Sequence, residues 1–198
     1  LNQRAFVAIK NVYMSHRSIL NQSASVLVIV DFQEAFRNAI SEFSILASRI
    51  ATAVSGAKLL GVPVLVTEQY PKGLGPTCEE ISMSLSNDSA IVEKSTFSAV
   101  GAVDFNVKIE SLNAKQILLC GLETHICVSQ TAHDLIDHGF HVHLLADCVG
   151  SRFDSGRHTG MMKMQQSGVI QSSVEMMLFE LMADSRHEKF RDIQALIL

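Results

Sequence analysis

At 198 residues, 47% of them hydrophobic, the chain can bury a substantial core, and a prior of roughly 100–200 residues per domain points to one domain. A net charge of −4 with no basic run argues against nucleic acid as a partner, and the four cysteines (78, 120, 127, 148) lack the paired spacing of a zinc site. No apolar run approaches the roughly 20 residues needed to cross a bilayer, which argues against a membrane-spanning chain.

Residues 1–24 differ from the rest. No acidic residue precedes Asp31, whereas Arg4, Lys10 and Arg17 supply positive charge, faintly as in a mitochondrial presequence. The expectation is a leader or N-terminal extension over 1–24, with Met14 as an alternative start, and a domain over 25–198. A cytoplasmic location follows, with the mitochondrion as the alternative.

From residue 26 strands and helices alternate. The apolar run Val26–Val30 predicts a parallel strand covered on both faces. A helix over about 41–60 carries Ile45, Leu46, Ile50, Val54, Ala57 and Leu60 on a 3.6-residue period and stops at Gly61. Further strands are predicted at 62–66 (with Pro63 at the start, where no ladder N–H is lost), 91–93, 117–120, 142–146 and 169–171. Helices are predicted near 104–112, 125–138, within 155–167, and at 173–183 and 187–196. Strands joined by helical crossovers predict an α/β fold, a three-layer α/β/α doubly wound, mostly parallel sheet.

Three segments deliver reactive groups to one edge of such a sheet. The strand Val26–Val30 ends at Asp31, and open parallel sheets bind ligands beyond the carboxyl ends of their strands. The short run Ala90–Val92 delivers Glu93 and Lys94. The strand 117–120 breaks at Gly121 and passes into a helix with Cys127 in its first turn, where N–H groups and the helix dipole favour a thiolate. A free cysteine is more often inert packing, and Cys120 and Cys148, within or just after apolar runs, read as core.

The motifs Val-Ile-Val-Asp-Phe-Gln (28–33), Glu-Lys-Ser-Thr-Phe-Ser (93–98) and Gly-Leu-Glu-Thr-His-Ile-Cys-Val (121–128) resemble the isochorismatase-like cysteine hydrolases. Within that superfamily, Val-Thr-Glu-Gln-Tyr-Pro-Lys-Gly-Leu-Gly-Pro-Thr (66–77) and the stretch Arg157–Gly168 are most similar to the isochorismatase domain-containing proteins 1 and 2. The resemblance runs from about Ser25 to the C-terminus. It implies Cys127 as nucleophile, Asp31 as the base that takes the thiol proton, and Lys94 as the cation beside them. It also implies a cis peptide between Leu122 and Glu123, with the N–H groups of Glu123 and Cys127 as the oxyanion hole.

One departure bears on cofactors. Nicotinamidases in the superfamily carry an Asp-x-His-type metal motif after the second strand, whereas this chain has Glu68, Gln69, Tyr70 and Pro71 there. Glu68 is a possible oxygen ligand without an imidazole partner, so no metal and no other cofactor is expected. Phe32, Phe36, Tyr70, Phe97, His125 and Ile126 are candidate pocket residues for a small-molecule substrate. The methionine-rich C-terminal third, together with the resemblance, suggests a homo-oligomer. The leading function is a metal-independent cysteine hydrolase cleaving an amide-type C–N bond through a thioester. The alternatives are a catalytically idle, partner-binding protein and the ribonuclease label that some relatives carry.

Overall fold

The computed structural model describes residues 16–87 and 89–198. Strands β1 (Ser25–Val30), β2 (Val64–Gln69), β3 (Ala90–Lys94), β4 (Gln116–Leu122), β5 (His141–Gly150) and β6 (Ile170–Ser172) form one sheet in the order β3-β2-β1-β4-β5-β6, every ladder parallel. The helices are α1 (Phe43–Leu59), α2 (Pro71–Leu74), α3 (Glu79–Ser82), α4 (Val103–Ser111), α5 (Ser129–Asp137), α6 (Asp154–Gln166), α7 (Val174–Met182) and α8 (Phe190–Ile197). All residues of β1 and β4 are buried, as expected of central strands covered on both faces. The result is the three-layer α/β/α fold.

The strand order matters for function. Connections run outward from β1 through β2 to β3, and the chain then returns to β4 on the other side of β1. Such a reversal opens a crevice at the carboxyl ends of β1 and β4. Asp31 leaves β1 at that point, and the turn carrying Cys127 follows β4.

Several local expectations need correction. Gly121 does not break the strand: β4 continues through it to Leu122, in register with Val30 of β1. Its φ is +121°, and a Cβ there would lie 2.0 Å from the Val30 carbonyl oxygen, so glycine is required by close backbone approach. The helix expected over 125–138 opens instead with a turn of π-helix, Thr124–Val128, before α5. The second strand starts at Val64, after Pro63, and runs on to Gln69.

Residues 1–15, where most of the expected leader falls, lie outside the described residues. Residues 16–24 pack against the domain instead of standing apart: Leu20 is buried, its N–H donates to Glu180 Oε2 at 3.0 Å, and Gln116 Nε2 donates to the Ile19 carbonyl at 2.9 Å. Among the described residues no helix is long and apolar enough to cross a membrane.

Candidate active site

Asp31 sits one residue past β1 in the left-handed region, φ +50°. Thr67 of β2 holds it twice, accepting the Asp31 N–H at 3.0 Å and donating its hydroxyl to Oδ1 at 2.7 Å. Oδ2 accepts from Lys94 Nζ at 2.6 Å, in an ion pair whose side chains are 0% and 1% exposed. A pair so buried persists only when its remaining hydrogen-bonding capacity is met. It is met here: Nζ also donates to Gln69 Oε1 at 2.6 Å and faces the carbonyls of Thr96 at 3.0 Å and Phe97 at 3.1 Å.

Cys127 lies in the π turn and is 8% exposed. Its thiol is pushed up to about 12, first by burial, then by the charge of Asp31 and a hydrogen bond to that carboxylate, with Glu123 adding to the effect and Lys94 opposing it. Burial and two carboxylates outweigh one ammonium and the helix end. These influences oppose the thiolate that the helix start favours. Asp31, Lys94 and Cys127 are brought together at the crevice.

The turn before Cys127 is fixed on all sides. The peptide Leu122–Glu123 is cis, and the Glu123 carbonyl accepts from the N–H groups of Ile126 and Val128. The buried Glu123 carboxylate takes the Arg152 backbone N–H at 2.9 Å and its Nε at 3.0 Å. Thr124 donates its hydroxyl to the Gly150 carbonyl at 2.9 Å, and His125 Nδ1 meets Ser151 Oγ at 3.0 Å. Helix α6 presses on this turn because Gly160 has no side chain; a Cβ there would come within 2.8 Å of His125 Cα.

The other expected site residues divide. Phe32 is fully buried and packs on Phe43 with centroids 4.6 Å apart, so it belongs to the core and not to a pocket wall. Its place directly after Asp31 made either side of the strand end plausible, and α1 decides it. Tyr70 and Phe97 are exposed, while Phe36, His125 and Ile126 are half-buried. Glu68 is occupied structurally: its Oε1 accepts both the N–H and the hydroxyl of Thr77, each at 2.7 Å. Among the described residues no group of three or more His, Cys, Asp or Glu side chains is arranged to hold a metal ion.

Three residues missed in the sequence complete the network. They are Thr67, Gln69 and Gln33, whose buried amide donates to the carbonyls of Gln69 at 3.0 Å and Gly75 at 2.7 Å and accepts from the Gln69 N–H at 2.8 Å. The available signal was a polar residue interrupting an apolar strand, as Thr67 does after Val64–Val66. A cleft of about 480 Å³, lined in part by Lys58, Pro63, Leu65 and Lys108, lies at the opposite ends of the strands.

The isochorismatase domain model matches residues 25–176. The chain belongs to the isochorismatase-like hydrolase family. It is 39% identical over 178 residues to isochorismatase domain-containing protein 1 of Danio rerio, covering 90% of this chain but 62% of that relative's length. It is 37% identical over 180 residues to isochorismatase domain-containing protein 2 of Xenopus laevis, covering 90% of this chain and 86% of that one. Among solved structures, the MAR1 ribonuclease of Caenorhabditis elegans matches with a TM-score of 0.86 and 34% identity, over 90% of this chain and 92% of that chain. The Escherichia coli YcaC gene product, described as an octameric hydrolase of unknown specificity, shares the fold of this family member at a TM-score of 0.80 and 22% identity, over 90% of this chain and 94% of that chain.

Proposed function

We propose that this protein is a metal-independent cysteine hydrolase that cleaves an amide-type C–N bond of a small molecule through a thioester. One observation carries the reading: the thiol of the π turn after β4 is set beside a carboxylate that a buried lysine and a threonine hold in place, at the crevice where the strand order reverses. As Cys127 Sγ attacks the carbonyl carbon, its proton passes to Asp31. The oxyanion is received by the N–H groups of Glu123 and Cys127. Collapse breaks the C–N bond, and the amine leaves with the proton from Asp31. Water then attacks the thioester, giving its proton to Asp31, and the acid departs as the proton returns to sulfur.

Burial and the Asp31 charge push the Cys127 thiol up, which favours proton transfer to Asp31 as attack proceeds. Lys94 acts by its fixed charge. The engagement of Glu68 with Thr77 supports a route without metal. Tyr70 and Phe97 are the candidate walls for substrate, with Phe36, His125 and Ile126 behind them. The exposure of such aromatic residues, and the octameric assembly described for YcaC, support a homo-oligomer, which light scattering at micromolar concentration tests.

Incubation with a panel of small amides, followed by intact-mass analysis, should trap an acyl adduct on the wild-type protein and none on Cys127→Ala. EDTA should leave turnover unchanged. The name of the Caenorhabditis elegans neighbour favours one second reading, RNA cleavage. Cleavage of RNA that Cys127→Ala abolishes, with no amide adduct, would replace the amidase reading. Absence of both activities, with partner binding intact, would leave the idle alternative.

A further inference from the structure

We infer that Thr67 is a positioning residue that orients the Asp31 carboxylate for proton transfer, an inference that rests on the base role proposed above. The Thr67 side chain is fully buried, and its hydroxyl donates at 2.7 Å to Oδ1, the carboxylate oxygen that Lys94 does not touch. The same residue's carbonyl accepts the Asp31 N–H at 3.0 Å, and its partner in the ladder is Val30. Asp31 is thereby anchored by backbone and side chain on a single neighbour, in a left-handed conformation that a non-glycine residue adopts only when its surroundings impose it.

The two donors are not equivalent. Lys94 Nζ has three protons and four oxygen neighbours, namely Asp31 Oδ2, Gln69 Oε1 and the Thr96 and Phe97 carbonyls, so its hold on Asp31 is shared. Gln69 is locked with its oxygen toward Lys94, because its Nε2 donates to the Ser95 carbonyl at 2.8 Å. Among the described residues the Thr67 hydroxyl has no competing acceptor. It is thus the neutral donor that fixes the plane of the carboxylate, and a donor to the charged form of an acid favours that form. Thr67 touches neither sulfur nor substrate in the proposed scheme and acts entirely through Asp31.

Thr67→Val is nearly isosteric and removes only the hydroxyl, while Thr67→Ser keeps it. The measurement is the pH profile of Cys127 alkylation by iodoacetamide, read by intact mass, with the kcat/KM profile on any amide that turns over. In Thr67→Val the acid limb of both profiles should move up by about one pH unit, a tenfold loss of rate below the limb. Thr67→Ser should return the limb to its wild-type position. A Thr67→Val protein with uniformly slower rates and an unmoved limb would overturn the inference, as would one indistinguishable from wild type. Misfolding of the valine variant would show in its unfolding midpoint, and the serine variant then decides: a displaced limb with the hydroxyl retained would also overturn the inference. Alkylation requires no substrate, so a shifted alkylation limb without amide turnover would sustain the role of Thr67 and remove only the amidase reading.

Discussion

Replacement of His143 by leucine gives a stability change whose pH dependence can be worked out in advance. His143 is in β5, fully buried, and among the described residues neither ring nitrogen makes a well-formed hydrogen bond. Burial, the largest influence, lowers its pKa from the ordinary 6.5 to about 4, with the nearby Arg17 carbonyl opposing and His141 adding slightly. The folded state therefore binds this proton less well than the unfolded chain. Unfolding takes up a proton between pH 6.5 and 4, so the folded state loses stability as pH falls through that window and loses no more from this group below it. The difference between the two values corresponds to about 3 kcal/mol in total, of which about 2 kcal/mol falls between pH 6.5 and 4.5. His143→Leu removes both this slope and two unpaired buried nitrogens, so at pH 7.5 it should equal or exceed wild type in stability. Urea unfolding followed by circular dichroism, at one-unit steps from pH 7.5 to 4.5, measures the wild-type-minus-variant difference and so cancels the other titrating groups. A difference that stays constant across those pH values would refute the reasoning, because it would mean that His143 is already charged or solvated in the folded state.

Three further outcomes are expected. Iodoacetamide should label Cys127 before Cys78, Cys120 and Cys148, since Cys127 is 8% exposed and the others 1% or less; peptide mapping that found Cys78 first would count against its placement at the crevice. Gly121→Ala should destabilise by about 3 kcal/mol or more, because its Cβ would meet the Val30 carbonyl in a conformation hostile to side chains, as urea midpoints would show. Gly160→Ala should lose about 1–3 kcal/mol and alter the Cys127 alkylation rate, since α6 must retreat from the turn; an unchanged rate would show that α6 does not set the position of the thiol.

Features carried by local pattern were legible in the chain, and features carried by distant neighbours were not. The apolar runs at 26–30 and 117–120 and the 3.6-residue period of α1 have their cause within a few residues, and the elements appear within a few residues of the expected bounds. A lone glycine in an apolar run reads locally as a break, but the reason for Gly121 is the backbone of Val30, far away in sequence. The π turn is equally hidden, since apolar spacing over five residues does not separate it from an α turn. Asp31, Lys94 and Cys127 could be singled out because strand ends collect chemistry. Thr67 and Gln69 gave almost no signal: their importance lies in which atoms of Asp31 and Lys94 they meet across strands.

The protonation state of Cys127 leads to a final expectation, for Asp31→Asn. Asp31 has two opposed effects in the proposed chemistry. Its charge and hydrogen bond help to hold the thiol near 12, which suppresses spontaneous ionisation, yet its carboxylate is the acceptor that lets the proton leave at neutral pH. Asparagine removes both. The variant should be less stable, since Lys94 stays buried without its counter-charge, but Nζ still meets Gln69 Oε1 and the Thr96 and Phe97 carbonyls, and the Asn oxygen can accept from it. With the base gone, alkylation of Cys127 at pH 7 should slow by tenfold or more, within the roughly 10²–10⁴-fold range of general acid–base catalysis or just below it. With the repulsive charge gone and Lys94 unopposed, the thiol should ionise at lower pH than in wild type, so above about pH 10 the variant should react faster. The two rate profiles should cross. A variant faster than wild type at every pH would mean that Asp31 is only a neighbouring charge, and the proton would then need another acceptor. A variant slower at every pH would mean that the carboxylate does not raise the thiol at all, and that burial alone keeps it protonated.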